Sequence, residues 1–418
     1  MQEKESLACA GPRLAAQNKR GAGRIFLRQM LLSRHSRRNT AMLRWYLFAA
    51  ALVVVAFSFL AVVKSPDWSQ WRFAVLAGEY GHWFALGALA LVGLAGNFSR
   101  PPTVPVVAAM LLGLVAVILF LKPSLDAWRV ARTLPAALER AFGRVEVGRR
   151  PFSPAALFGF APQPVPVQTL SFSGELALDF YRAVRTDGAL SPCVIVVHGG
   201  GWDSGDRAQI AHFNDWLARR GYAVAAISYR LAPKSIWPAQ RDDLLAAIAA
   251  VKAQAGRLGV DPARLVLLGR SAGGQIVEAV GYAVHDPAIR GLVGLYAPSD
   301  LHFGYAHARE DDAIKSPTLM RRYLGGPPAA ARAAYDSASA LQHVTAAAPP
   351  TLLLHGENDT LVWHRHSERL DGKLAEKGVP RAFVSLPWAT HAFDYNLNGP
   401  GGQITTYALE WFLAAVTR

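Results

Sequence analysis

The sequence predicts an α/β domain, with a mostly parallel sheet flanked by helices, preceded by an all-α transmembrane segment. Three observations predict this. From about residue 168 onward, short apolar runs rich in β-branched residues alternate with helical stretches. Residues 45–63 form an almost wholly apolar run between Arg44 and Lys64. Only 18% of the 418 residues are charged, yet ten Lys or Arg fall within the first 44 positions, against Glu3 and Glu5 alone.

Residues 1–44 therefore read as a basic leader that stays in the cytoplasm, ahead of a membrane module over 45–121. The formal net charge of +14 could suggest nucleic acid, but much of the excess directly precedes an apolar helix, so no nucleic-acid partner is expected. The run 45–63 is long enough to cross a hydrocarbon layer of about 30 Å. A second span is expected over 104–121, between Arg100 and Lys122. The middle candidate, 80–98, is diluted by glycines and carries His82, and it reads either as a span or as a re-entrant segment. Glu79 at its mouth reads as a carboxylate at headgroup level. Two spans leave the following domain in the cytoplasm and three export it. Three are favoured, giving a multi-pass membrane protein with an extracytoplasmic domain, periplasmic in a bacterium. Residues 122–167 are expected to be a proline-punctuated linker, with an interfacial helix over 126–142. Cys9 and Cys193 are too few for a disulfide framework or a cysteine metal site.

Over 168–418 the pattern predicts strands at 169–172, 176–184, 193–197, 223–228, 265–268, 292–296, 351–354 and 382–386. Helices are expected at 207–220, 239–255, 272–284 and 404–416. Residues 297–349 interrupt this rhythm and read as a lid-like insertion, with a short helix near 317–323.

Two loops carry the chemistry. The apolar strand at 265–268 runs into Gly269-Arg270-Ser271-Ala272-Gly273 and then straight into a helix. A serine in a tight strand-to-helix turn, flanked by small residues, lifts its hydroxyl above the sheet edge as a nucleophile. The strand at 193–197 runs into His198-Gly199-Gly200-Gly201-Trp202. Glycines there can turn backbone N–H groups inward, so Gly200 and Gly201 are expected to form an oxyanion hole together with Ala272. A phosphate loop is disfavoured because neither its glycine spacing nor its lysine is present.

A serine needs a base, and in this chain order the base follows the last strands, with its orienting acid before it. His391 and Asp359 occupy those strand-end loops. Glu357 and Asp394 remain alternative acids, and Asp359 could instead cap the helix that follows. Histidines 198, 355, 364 and 366 form no helical His-Glu-x-x-His pair. No metal or cofactor is expected, and His364 with His366 reads as a solvent-facing pair.

These motifs, with Ser228-Tyr229-Arg230-Leu231-Ala232-Pro233 and His355-Gly356-Glu357-Asn358-Asp359, resemble the α/β-hydrolase superfamily. The likeness is to hormone-sensitive-lipase-like esterases and related acetyl or feruloyl esterases, over roughly 170–416. The resemblance implies cofactor-free hydrolysis of carboxylic esters, and it implies that Asp242 or Asp243 braces Tyr229-Arg230. Arg270 and Lys234 stand where acids are usual. They would favour an anionic ester or headgroup, or pair with Asp242 or Asp243.

The expected substrate is a small-molecule or lipid ester with a short-acyl, aryl or lipid-like group. Its pocket is expected to be walled by Trp202, Tyr305, Trp363, Trp388 and Phe393. Membrane lipids are the other expected partners, and nothing in the sequence speaks to oligomeric state. A serine peptidase or amidase would use the same residues, but no large accessory domain or acidic amine clamp is evident. A non-catalytic binding protein would not need every part of the machinery.

Overall fold

The computed structural model describes residues 41–97, 103–159 and 164–418. Most of the basic leader, residues 1–40, lies outside the described residues. The chain forms two compact units. The smaller holds the described residues up to Ala56 together with Leu86–Val117, and the larger holds Phe57–Ala85 and Ile118–Arg418.

Four helices come first: α1 Ala41–Phe59, α2 Trp68–Glu79, α3 Gly81–Asn97 and α4 Val104–Phe142. α1 and α4 are each long and apolar enough to cross a membrane, and α2 with α3 passes the same test only as a pair bent by 80°. Two or three helices of the N-terminal region can therefore span. In the smaller unit Leu47 and Ala51 pack with Ala95, Val106 and Ala109, small residues that let helices approach closely. In the larger unit Phe57 meets Phe84 and Phe120, with ring centroids 5.0 and 5.7 Å away.

The span expected to end at Leu121 and the separate helix expected over 126–142 are one 39-residue helix, α4. Pro123 and Pro135 each remove a hydrogen bond from it. Burial of Ala127, Leu134 and Leu138 against the α/β core offsets that loss.

The sheet has eight strands: β1 Val167–Ser173, β2 Leu176–Tyr181, β3 Ser191–Val197, β4 Ala223–Ile227, β5 Val260–Arg270, β6 Ile289–Leu295, β7 Thr351–Gly356 and β8 Arg381–Leu386. Their order is β1-β2-β4-β3-β5-β6-β7-β8, with β2 antiparallel to both its neighbours, β1 and β4, and every other pair parallel. Strands buried on both faces must be apolar throughout. In β3, Cys193, Ile195 and Val197 join one core while Val194 and Val196 join the other. β5 repeats the division, with Leu265 and Leu267 on the first face and Val266 and Leu268 on the second.

Helices α5 Ala211–Arg219, α6 Ala239–Ala253, α7 Ala255–Leu258 and α8 Ala272–Ala283 follow in turn. The stretch 297–349 holds α9 Leu301–His307, α10 Ser316–Leu324 and α11 Arg332–Ala338, before α12 Arg365–Glu376 and α13 Pro400–Val416 complete the chain.

Glu278, on α8, lies fully buried where Gly294 of β6 leaves room for it; a Cβ there would sit 2.1 Å from its Oε1. Burial pushes the Glu278 carboxyl up to about 8, against a smaller opposite pull from Ser299. The folded state thus binds this proton more tightly than the unfolded chain does. The stability it supplies is complete below the ordinary value of 4.5 and is lost as pH rises toward about 8. Glu278→Gln mimics the protonated acid. It is expected to leave Tm nearly unchanged at pH 5 and to raise it at pH 8, measured by circular dichroism on the detergent-solubilised chain. Equal shifts at both pH values would contradict a buried proton at this position.

Candidate active site

All the strand-end loops named from the sequence lie at the carboxyl edge of the parallel strands, where ligands bind in open α/β sheets. Ser271 follows β5 directly and precedes α8, with φ +51° and ψ −121°. A non-glycine residue in that region is strained, and such strain is held only where the surroundings fix it. Gly273 supplies the closeness this turn needs. A Cβ on it would lie 2.3 Å from the carbonyl oxygens of Val197 and His198, so a side chain would push the turn off β3.

β3 and β5 are neighbours, with Val197 opposite Gly269. The glycine loop after β3 is therefore beside the serine turn. Gly200 and Gly201 have φ of +120° and +58°, conformations that glycine adopts without cost. Among the described residues no acceptor takes a hydrogen bond from the N–H of Gly200, Gly201 or Ala272. The loop is braced from behind. Gln209 accepts from Gly199 N at 2.8 Å, and the His198 ring stacks on Tyr229 with centroids 4.2 Å apart. Burial lowers the His198 pKa, so this imidazole is neutral and serves as a prop.

Asp359 follows β7 and His391 follows β8. His391 Nδ1 and Asp359 Oδ2 are 2.6 Å apart. The other carboxylate oxygen accepts from Leu361 N and Val362 N, each at 2.9 Å, so Asp359 caps the following turn as well as meeting the imidazole. Burial alone would raise the Asp359 carboxyl. His391 and His355 outweigh it and hold the group well below the usual carboxylate range. A carboxylate at Nδ1 fixes the proton there and leaves Nε2 free to accept. No hydrogen bond joins the Ser271 hydroxyl to His391 among the described residues; such bonds are commonly long in unliganded sites and tighten around substrate.

The alternative acids are engaged elsewhere. Glu357 accepts from Ser385 Oγ at the surface. Asp394 is fully buried and accepts from Arg270 Nε at 2.5 Å and from the Tyr296 hydroxyl at 2.6 Å. Both expectations for Arg270, an anionic ester or headgroup and a pairing with Asp242 or Asp243, are therefore corrected: Arg270 points inward, over the Phe213 ring at 4.3 Å. Asp243 instead accepts from Arg230 N and Nε, both at 2.8 Å, and so braces the Tyr229-Arg230 segment.

A cavity of about 330 Å³ opens beside Ser271, lined by Gly201, Trp202, Ala272, Leu301, Phe303, Leu319, Met320 and Trp363 among others. Of the expected pocket aromatics, Trp202 and Trp363 line it and three do not. Trp388 and Phe393 turn into the core, where Phe393 packs edge-on against Tyr296 at 5.2 Å. Tyr305 packs on Tyr335 at 5.7 Å, and its hydroxyl accepts from Arg321 at 3.3 Å. His366 lines the cavity too. It is buried and its Nδ1 accepts from Asp300 N at 3.3 Å, which corrects the expectation that it faces solvent. Among the described residues no group of His, Cys, Asp and Glu is arranged to hold a metal ion.

Four participants were not evident from the sequence. His355 lies 3.2 Å from Asp359, and the Tyr296 ring lies 4.3 Å from the His391 ring. Trp71 donates to the His391 carbonyl, and Lys64 lines the cavity. Glu79 is also corrected. It is 2% exposed and accepts from Gly401 N at 2.9 Å, so it is no headgroup carboxylate.

A mostly parallel sheet with a strained serine turn after one central strand and an acid–imidazole pair after its last two is the α/β-hydrolase fold. Solved structures share it. The bacterial heroin esterase superposes with a TM-score of 0.55 at 21% identity, over 69% of this chain and 92% of that one. The esterase LipW of Mycobacterium marinum does so at 0.50 and 24%, over 72% and 90%. Within the fold, residues 178–374 match the BD-FAE family model. The chain is 31% identical over 250 residues to the "Probable carboxylic ester hydrolase LipM" of Mycobacterium tuberculosis, covering 57% of this chain and 58% of that protein. It is 30% identical over 259 residues to the esterase LipC of the same organism, covering 58% and 62%. The chain thus spans about six-tenths of the length of these relatives.

Proposed function

We propose that this protein is a membrane-anchored serine carboxylic-ester hydrolase, with Ser271 as nucleophile, His391 as base and Asp359 as orienting acid. The observation that carries this reading is the 2.6 Å pair His391–Asp359 on the same sheet edge as the strained Ser271 turn. The relatives named as esterases support it.

In this reaction Ser271 Oγ attacks the ester carbonyl while His391 Nε2 takes its proton. The N–H groups of Gly200, Gly201 and Ala272 receive the charge that develops on the carbonyl oxygen. His391 then gives the proton to the leaving alcohol, and a water activated by the same imidazole releases the acid from the acyl-enzyme.

A cavity of about 330 Å³ walled by Leu301, Phe303, Leu319 and Met320 suits a short acyl or aryl group, and residues 297–349 would set the accepted length. A fluorophosphonate probe is expected to label Ser271, located by peptide mass spectrometry. Rates on p-nitrophenyl esters from C2 to C12 are expected to peak at short chains. Absence of any adduct on a folded chain would remove the reading.

The arrangement of α2 supports three spans. α2 follows α1 but bonds to residues of the domain that follows α4. If α1 crosses the bilayer, α3 and α4 must both cross to bring the domain to the same side as α2. That side is opposite the basic leader.

A further inference from the structure

We infer that α2, which lies outside the stretch matching the family model, supplies a positioning residue for the reaction: Trp71 holds the loop that carries His391. This rests on the reading of His391 as the base. The Trp71 indole N–H donates to the His391 carbonyl oxygen at 3.1 Å, and the two rings lie 6.3 Å apart at 64°. Among the described residues Trp71 is the donor that reaches that carbonyl. The bond is partly buried and supplies that carbonyl's protein donor, so it holds this backbone rather than merely touching it.

The far end of α2 holds the exit of the same loop. The Asn396 side chain donates to the Glu79 carbonyl at 3.0 Å, and Gly401 N, at the start of α13, donates to the Glu79 carboxylate. Gly399 and Gly401 make this approach possible, because a Cβ on either would lie within 2.7 Å of a Glu79 carboxylate oxygen. One helix thus grips the loop at the base and again where the loop re-enters the fold. The face between the two grips, Ala74, Val75, Ala77 and Gly78, is buried, while Trp68, Phe73 and Leu76 remain exposed. The α/β domain therefore relies on α2, which precedes it in the chain, to hold the loop of its proposed base.

Trp71→Phe removes the N–H donor and keeps an aromatic ring, and Trp71→Ala removes both. Each is compared with the unmodified full chain in detergent, using p-nitrophenyl acetate and counting active sites by fluorophosphonate titration. The expected kcat per titrated site falls about tenfold for Trp71→Phe and toward a hundredfold for Trp71→Ala, with KM within about twofold. A purely structural role would reduce the number of titrated sites and leave kcat per site unchanged. If Trp71→Ala gives too little folded chain, Trp71→Phe carries the test alone. Wild-type kcat per titrated site in Trp71→Phe overturns the inference. Ser271→Ala assayed in parallel separates the two ideas. Persistent turnover there sinks the serine reading itself, whereas an inactive Ser271→Ala beside an unaltered Trp71→Phe sinks only the role of Trp71.

Discussion

Ser271→Ala is expected to lower kcat for short p-nitrophenyl esters by on the order of 10⁵-fold while Tm stays within a degree or so of the parent. The loss is large because nucleophile and base act as a unit. With no oxygen to attack, the His391–Asp359 pair has nothing to deprotonate except water. The fold should be indifferent. The substitution keeps the Cβ in the strained turn, and the lost hydroxyl has no hydrogen-bond partner among the described residues, so no buried group is orphaned. What persists would come from the amide donors of the glycine loop and from binding. Steady-state kinetics with a thermal melt on the same preparation checks both halves. Turnover within tenfold of the parent would mean that another group performs the attack.

Asp394→Ala is expected to be the most destabilising single change in the neighbourhood of the site. Arg270 and Asp394 are 1% and 0% exposed and meet at 2.5 Å, and the Arg270 guanidinium finds no other hydrogen-bond acceptor among the described residues. Removing one member of such a pair leaves a charge in a medium that cannot solvate it, which costs about 3–5 kcal/mol. In a domain of this size that is a fall in Tm on the order of 10 °C. The Tyr296 hydroxyl loses its acceptor at the same time. Replacing both partners is a different case. Arg270→Met with Asp394→Asn removes the two charges and keeps an acceptor for Tyr296, so most of the lost stability should return. A double variant no more stable than Asp394→Ala would show that the pair is not the source of the effect. The pair also joins the residue before Ser271 to the loop of His391, so its loss should loosen the relation between Ser271 and His391.

The parts of the site that were legible in the sequence are those set by neighbours along the chain. The Gly269–Gly273 turn announces itself because a strand, a turn and a helix need their small residues at fixed offsets. Asp359 and His391 follow from chain order once that turn is recognised, since each must trail a later strand. What was not legible depends on partners far away in sequence. Trp388 and Phe393 flank the His391 loop, and nothing local says whether an aromatic there faces the substrate or the core. Both face the core. Arg270 meets Asp394 across 124 positions, and Trp71 meets His391 across 320. Pro123 and Pro135 suggested a break in α4 because propensity weighs the missing hydrogen bonds and cannot see the packing that compensates for them. Glu79 was assigned to the headgroup region on hydropathy, although its position is decided by the backbone amide of Gly401.

His366 gives the chamber beside Ser271 a property of its own. Burial, with the nearby His355 adding to it, pushes this imidazole down to about 3, and its Nδ1 already accepts from the backbone of Asp300. His366 therefore adds no charge to the chamber from mildly acidic to alkaline solution, although Lys64, Arg309 and Asp312 line the same chamber. An acyl group would find the His366 side of that lining uncharged throughout the range. This ring would therefore lend the guest the same neutral contact in weak acid as in alkali.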